Sequence, residues 1–285
     1  MLTAKLAAKT HPQHQTILNI SKTASIGGEE LLIIGGPCTV ESLNQMEQVA
    51  NHLAHTSVQV LRGGVYKPRT SPYAFQGLGD AGLNILSTIN RHHNIPTVTE
   101  VMTISQIEGI VEHADMLQIG SRNMQNFDLL KAVGSAGKPV ILKRGLAATI
   151  EEFVMAAEYI LAHGNSEVIL CERGIRSFDN YTRNVLDLGA VVALKQITHL
   201  PVIVDPSHAA GKRELVAALA KAGVAAGADG IMVECHPEPE KSVSDARQAL
   251  SLEDMAALVE SLRPIAAAVG RRVPVAKMGQ QLAVA

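Results

Sequence analysis

Eight short β-rich runs recur along this chain: about 31–35 (LLIIG), 58–62 (VQVLR), 97–100 (TVTE), 115–119 (DMLQI), 139–142 (PVIL), 167–171 (EVILC), 201–204 (PVIV) and 229–233 (DGIMV). Most are continuously apolar, which strands buried on both faces of a parallel sheet require. Helical patterns fill the gaps, at about 42–54, 80–92, 103–112, 126–134, 149–163, 183–196, 212–226 and 252–269. In 149–163, Thr149 and Glu152 make a capping box ahead of the stripe Ile150, Phe153, Val154, Ala157 and Leu161. Strand alternating with helix eight times predicts right-handed crossovers and closure into a single-domain (β/α)8 TIM barrel. An open doubly wound sheet is the runner-up, but no glycine-rich dinucleotide fingerprint follows the first run.

The barrel is expected over 31–269. Residues 1–30 form an extension in which 16–27 (TILNISKTASIG) reads as a short N-terminal hairpin closing the barrel bottom. The tail 270–285 has no clear partner in the sequence and reads as a mobile or interface segment.

Composition narrows the class. Hydrophobic residues at 47% and charged residues at 18% describe a chain with a large core, filled by aliphatic side chains because tryptophan is absent and aromatics are 3%. A net charge of −2 gives no support for nucleic-acid binding, so any electropositive site must be local. No stretch approaches the roughly 18 apolar residues of a membrane span. The start lacks a signal peptide, and three distant cysteines suit a reducing cytoplasm.

In this fold the active site lies at the C-terminal ends of the strands. Each run leads to a polar or ionisable group there: Cys38, Arg62, Glu100, Arg122, Lys143 with Arg144, Arg173, Asp205 with His208, and Glu234. Arg62, Lys67, Arg69, Arg122, Lys143 and Arg173 are cations that imply polyanionic ligands, and more charge than one monophosphate needs. The bland reading is that some are solvated, or paired with Glu41, Glu112 or Asp128. The loop GGVYKPRTSPYAFQGLG sets Lys67, Arg69, Thr70 and Ser71 within five residues, stiffened by Pro68 and Pro72, as a phosphate clamp.

The other set is Cys38, His208, Glu234 and Asp245. Thiolate, imidazole and two carboxylates suit one divalent metal ion of the Mn, Fe, Co or Zn class. His236 is a rival to Glu234 in this set. A free cysteine is often only a small buried hydrophobe, which is the expectation for Cys171 and Cys235.

These motifs carry a resemblance. GPCTVES, RGGVYKPRTSPYAFQGLG, QIGSRNMQNF, ILKRG, CERGIRSF, DPSHAAGKR and VECHPEPEKSVSDARQAL stand in family order over about 16–265 and resemble 3-deoxy-D-arabino-heptulosonate 7-phosphate (DAHP) synthase, type I, in the branch related to 3-deoxy-octulosonate 8-phosphate (KDO8P) synthase. The resemblance implies phosphoenolpyruvate and erythrose 4-phosphate as substrates and the first step of the shikimate pathway. It also implies a homodimer or homotetramer. Carried over residue by residue, it makes Cys38, His208, Glu234 and Asp245 the metal ligands. Arg62, Lys67, Gly120, Ser121, Arg122, Lys143 and Arg173 become the phosphoenolpyruvate contacts, and Arg69, Thr70 and Ser71 the aldose phosphate contacts. Lys143, Glu100, Asp205 and Lys67 are the expected catalytic groups. Glu100 has a second reading, as a structural partner of an arginine. With so few residues before the first strand, feedback control from a dedicated regulatory domain is not expected. The alternatives are KDO8P synthesis from arabinose 5-phosphate, a metal-dependent aldolase, and a non-catalytic anion-binding barrel.

Overall fold

The structure is a computed structural model and describes residues 3–69 and 71–276. A two-stranded antiparallel hairpin, β1 (Leu18–Ser21) and β2 (Ala24–Ile26), precedes the barrel. Then come β3 (Leu32–Gly36), α1 (Leu43–Leu53), β4 (Val60–Arg62), α2 (Asp80–His93), β5 (Thr97–Val101), α3 (Ile107–His113), β6 (Met116–Ile119) and α4 (Phe127–Gly134). After them follow β7 (Val140–Lys143), α5 (Ile150–Ala162), β8 (Val168–Glu172), α6 (Leu188–Ile197), β9 (Val202–Val204), α7 (Pro206–Ala210), α8 (Arg213–Ala225), β10 (Gly230–Glu234), α9 (Leu252–Ser261) and α10 (Arg263–Ala268). Strands β3 to β10 pair in parallel and close on themselves, β10 against β3. The open-sheet alternative is thereby excluded.

Two apolar layers follow from the two-residue period of a strand. Leu32, Ile34, Val60, Val98, Met116, Ile141, Ile169, Cys171, Ile203 and Met232 pack together inside the barrel. Leu18, Ala24 and Ile26 of the hairpin join that cluster, so the hairpin plugs the barrel as expected. Their strand neighbours, such as Ile33, Leu61, Leu117, Leu142, Leu170 and Val233, face the helices instead. Helix α5 shows the logic of the outer layer. Thr149 Oγ1 accepts from Glu152 N at 3.1 Å, Glu152 Oε2 accepts from Thr149 N at 2.8 Å, and Phe153, Val154, Ala157 and Ile160 are buried. The cap contributes about 1 kcal/mol. Burying a side chain such as Phe153 contributes roughly 1.5–3 kcal/mol.

Four features differ from the sequence reading. The patch at 183–196 becomes helix only from Leu188, because 183–187 runs extended: Arg183 N donates to Ala210 O and Val185 N to Ile175 O. The pattern at 252–269 breaks after Ser261, where Pro264 cannot continue the hydrogen-bond ladder. The short helix α7, capped by Asp205, went unread. The tail does have a partner over its described part: Leu31 N donates to Arg272 O, Arg272 N to Glu29 O, and Arg271 Nη2 to the buried Asp229 Oδ1. Residues 277–285 of that tail lie outside the described residues; among the described residues no helix is long and apolar enough to cross a membrane.

Candidate active site

Strand parity decides which side chains reach the barrel mouth. Two residues beyond the inward-facing Val60, Val98, Met116, Ile141, Cys171, Ile203 and Met232 stand Arg62, Glu100, Gln118, Lys143, Arg173, Asp205 and Glu234. On β3 the same step from Ile34 meets Gly36, at φ 141°, and then Cys38. A Cβ on Gly36 would collide with the carbonyl oxygen of Arg62, so a glycine is needed for β3 and β4 to lie this close. Arg144 falls on the opposite parity. It points outward and pairs with Glu172 at 2.8 Å and Asp187 at 3.0 Å, a structural role.

Cys38, His208, Glu234 and Asp245 converge, their ligand atoms all within 4.8 Å of one another. Cys38 Sγ lies 3.2 Å from Asp245 Oδ2 and 2.9 Å from Lys67 Nζ, which also donates to Cys38 O at 3.0 Å. His208 Nε2 lies 3.2 Å from Glu234 Oε1, and its Nδ1 meets Asp205 Oδ2 at 2.7 Å. Asp245 holds a left-handed backbone at φ 55°, one of two such non-glycine residues described. His236 stands outside the cluster, with Nε2 3.5 Å from Glu41. Cys171 and Cys235 are fully buried in the apolar layers.

Electrostatics at the cluster are those of a site built around a positive charge. Burial, and then the Glu234 carboxylate, push the Cys38 thiol up to about 12, although the Lys67 ammonium pulls the other way. Burial opposes ionisation of Asp205, yet His208, Lys143 and Arg62 hold its carboxyl well below the ordinary carboxylate range. Burial likewise opposes ionisation of Asp245, and His208 with Arg183 outweighs it, bringing that carboxyl to about 2. Burial lowers His208, favouring the neutral imidazole that a metal requires. Glu234 Oε1 is buried and accepts no aligned hydrogen bond, although Arg62 Nη2 is 3.1 Å away. A divalent ion fits this donor set: it would take the orphaned oxygen and displace the thiol proton.

Above the cluster opens a cavity of about 550 Å³. Arg62, Lys67, Arg69, Ser71, Glu100, Gly120, Ser121, Arg122, Lys143 and Arg173 all line it, as do Cys38, His208 and Asp245. Thr70 lies outside the described residues. The engagement of these groups differs from residue to residue. Lys143 Nζ is 2.5 Å from Asp205 Oδ2, and Arg69 Nη1 donates to Ser244 Oγ at 2.5 Å. Glu100 Oε2 accepts from Gln118 Nε2 at 3.1 Å and has no arginine partner among the described residues. Gly120 makes room for it, since a Cβ there would collide with the Glu100 carboxylate. Arg122 has no ion-pair partner among the described residues, Arg173 donates only to the carbonyl of Gly174, and Arg62 Nη1 is buried without a partner.

Several residues escaped the sequence reading. Arg176 and Arg183 also line the cavity, from the loop after β8; Arg176 sits three residues past Arg173 inside CERGIRSF. Gln118 carried a signal, being two residues before Gly120 on the inward parity of β6. Gln248, whose Nε2 donates to Glu234 Oε2 at 2.6 Å, carried none beyond its place in SVSDARQAL.

The chain matches the family model of the DAHP synthetase I family over residues 14–268. It is 47% identical over 269 residues to the phospho-2-dehydro-3-deoxyheptonate aldolase of Thermotoga maritima, a match spanning 94% of this chain and 79% of that protein. A 2-dehydro-3-deoxyphosphooctonate aldolase from Syntrophobacter fumaroxidans is 31% identical over 259 residues, covering 85% and 89% of the two chains. The crystal structure of the Thermotoga maritima DAHP synthase superposes with a TM-score of 0.92 at 45% identity, over 96% of this chain and 79% of that one. A truncated form of the 3-deoxy-D-arabino-heptulosonate 7-phosphate synthase from Thermotoga maritima gives 0.87 at 43% identity, over 94% and 98%.

Proposed function

The chain belongs to the DAHP synthetase I family, and from that premise we propose how its barrel mouth carries out the family reaction. That reaction condenses phosphoenolpyruvate with D-erythrose 4-phosphate and water, giving 3-deoxy-D-arabino-heptulosonate 7-phosphate and inorganic phosphate at the first step of the shikimate pathway. One observation carries the proposal. Arg122 and Arg173, without anionic partners, and the free Nη1 of Arg62 face one cavity that also borders the Cys38–His208–Glu234–Asp245 cluster. Guanidiniums with unpaired donors gathered in one place call for phosphate and carboxylate.

Arg122 and Arg173 hold the phosphate of phosphoenolpyruvate, with the backbone of Gly120 and Ser121 beside it, while Arg62 and Lys143 take its carboxylate. Arg69 and Ser71, with Thr70, hold the phosphate of the aldose. So fixed, the methylene carbon of phosphoenolpyruvate faces the aldehyde carbon and attacks it. Cys38, His208, Glu234 and Asp245 would hold a divalent ion of the Mn, Fe, Co or Zn class, which when bound supplies Lewis acidity to the aldehyde oxygen. Water then adds at the second carbon of the former phosphoenolpyruvate, and the resulting hemiketal phosphate expels inorganic phosphate. Glu100 Oε1 accepts no hydrogen bond among the described residues, so it is the oxygen placed to take the proton of that water. Lys143, held by Asp205, orients the water beside the developing charge. Lys67 lies against the Cys38 sulfur and offsets its negative charge once it ionises. All three cysteines are unpaired, and we place the enzyme in the cytoplasm.

Phosphate release tests this. With phosphoenolpyruvate, erythrose 4-phosphate and a divalent metal, release is expected, and a chelator should stop it. Faster release with arabinose 5-phosphate would favour the octulosonate reaction instead. Release that persists in chelator would remove the metal from the proposal. Arg69→Ala is expected to raise KM for erythrose 4-phosphate about tenfold or more, the loss of a charged hydrogen bond of roughly 1.5–3 kcal/mol. KM for phosphoenolpyruvate should move far less, and equal shifts in both would contradict the assignment of Arg69.

A further inference from the structure

Gln248 is buried, at 2% exposure, in the loop between β10 and α9, and it is not an expected metal ligand. Its Nε2 donates to Glu234 Oε2 at 2.6 Å. Its Oε1 accepts from Arg183 Nη1 at 3.2 Å, and the same Nη1 lies 3.4 Å from Asp245 Oδ1. Two carboxylates of the cluster are therefore bridged through two side chains. The bridge uses one oxygen of each. The remaining oxygens face the cluster: Glu234 Oε1 is 3.2 Å from His208 Nε2, and Asp245 Oδ2 is 3.2 Å from Cys38 Sγ.

We propose that Gln248 and Arg183 form a clip that restricts Glu234 and Asp245 to one ligating oxygen each, making Gln248 a positioning residue for the metal. The inference rests on the metal reading above. A carboxylate with both oxygens free can bind an ion through either or both, and the coordination number drifts accordingly. Here a donor already occupies the outer oxygen, and the amide cannot turn over without setting its carbonyl against Glu234 and its NH₂ against the Arg183 guanidinium. The clip thus limits the protein to four ligand atoms and leaves room for substrate oxygen in the cavity.

The probe is Co2+ added to metal-free protein, read by visible absorption and by competition with a chelating dye. Wild type is expected to show a thiolate charge-transfer band from Cys38 and the strong visible bands of a low coordination number. In Gln248→Met, which keeps the volume and loses both hydrogen bonds, the thiolate band should persist. The visible bands should weaken as Glu234 turns bidentate, and Co2+ should bind about 10–100-fold less tightly. A wild-type spectrum and affinity in Gln248→Met would overturn the clip, whereas a wild-type protein that takes up no Co2+ would overturn the metal reading beneath it. If circular dichroism shows Gln248→Met unfolded, Arg183→Met decides, since Arg183 lies on an exposed loop. It must also weaken Co2+ binding and shift the visible bands, and an unchanged spectrum there would sink the proposal.

Discussion

Replacing Cys38 with alanine is expected to abolish turnover and metal retention while the barrel stays folded. The side chain is small and only 2% exposed, and its loss removes no apolar layer of the core. Its sulfur is one of the four ligand atoms gathered among the described residues, so alanine leaves three of them. Lewis-acid stabilisation contributes several kcal/mol to a transition state of this kind. Losing about 4 kcal/mol corresponds to a rate loss on the order of 1,000-fold. Lys67 also loses its contact with the sulfur at 2.9 Å but keeps its hydrogen bond to the Cys38 carbonyl oxygen at 3.0 Å. Phosphate release, bound metal after dialysis, and thermal unfolding check the three parts separately. Normal turnover in chelated buffer would refute the site, and an unfolded variant would refute the statement that Cys38 is dispensable for folding.

Asp205→Asn is expected to damage both stability and catalysis, and for a different reason. Asp205 is fully buried; its Oδ2 meets Lys143 Nζ at 2.5 Å and His208 Nδ1 at 2.7 Å, and its Oδ1 caps α7 by accepting from His208 N at 3.0 Å. Asparagine keeps the shape and the cap. It cannot offer a charge to Lys143, nor a second carbonyl oxygen to the imidazole. Removing one partner of a buried ion pair costs about 3–5 kcal/mol, because the other charge stays behind. In a domain of this size that lowers Tm by on the order of 10 °C. The imidazole also loses the acceptor that sets its tautomer, so metal affinity should fall about 10–100-fold. Calorimetry of the metal-free protein and a metal titration measure the two effects independently. A Tm within about 2 °C of wild type would mean that Lys143 finds another partner, and unchanged metal affinity would mean that Asp205 does not orient His208. Combining Asp205→Asn with Lys143→Met should recover part of the lost stability without recovering activity.

The two variants probe different depths of the sequence. Cys38 was legible because GGPC follows the first apolar run in a glycine-rich turn, at the end of the barrel where the other ionisable groups are carried. The same held for Arg62, Glu100, Lys143, Arg173 and Glu234, each at or just past the end of a short β-rich run. Asp205 was legible as a residue but not as a bridge. Nothing in DPSH says that its carboxylate reaches Lys143, 62 positions earlier. Lys143 and Arg144 are neighbours in sequence, and both stood out as cations at a strand end. Only the pleat separates them, sending one to the cavity and the other to Glu172 and Asp187.

What the sequence determined by itself was the alternation of eight strands with helices, hence a closed barrel, and the identity of the groups carried to its mouth. Both are local properties: burial on two faces demands a continuous apolar run, and a residue just past that run has one place to go. Which groups neutralise one another was decided by the tertiary structure. Arg183 comes from the loop after β8, whereas Glu234 ends β10 and Asp245 and Gln248 lie in the loop after it, so their contacts depend on β8, β9 and β10 standing side by side in the barrel. A hydrogen bond needs its partners placed to within a few tenths of an ångström, and no spacing along the chain specifies that before the barrel has closed.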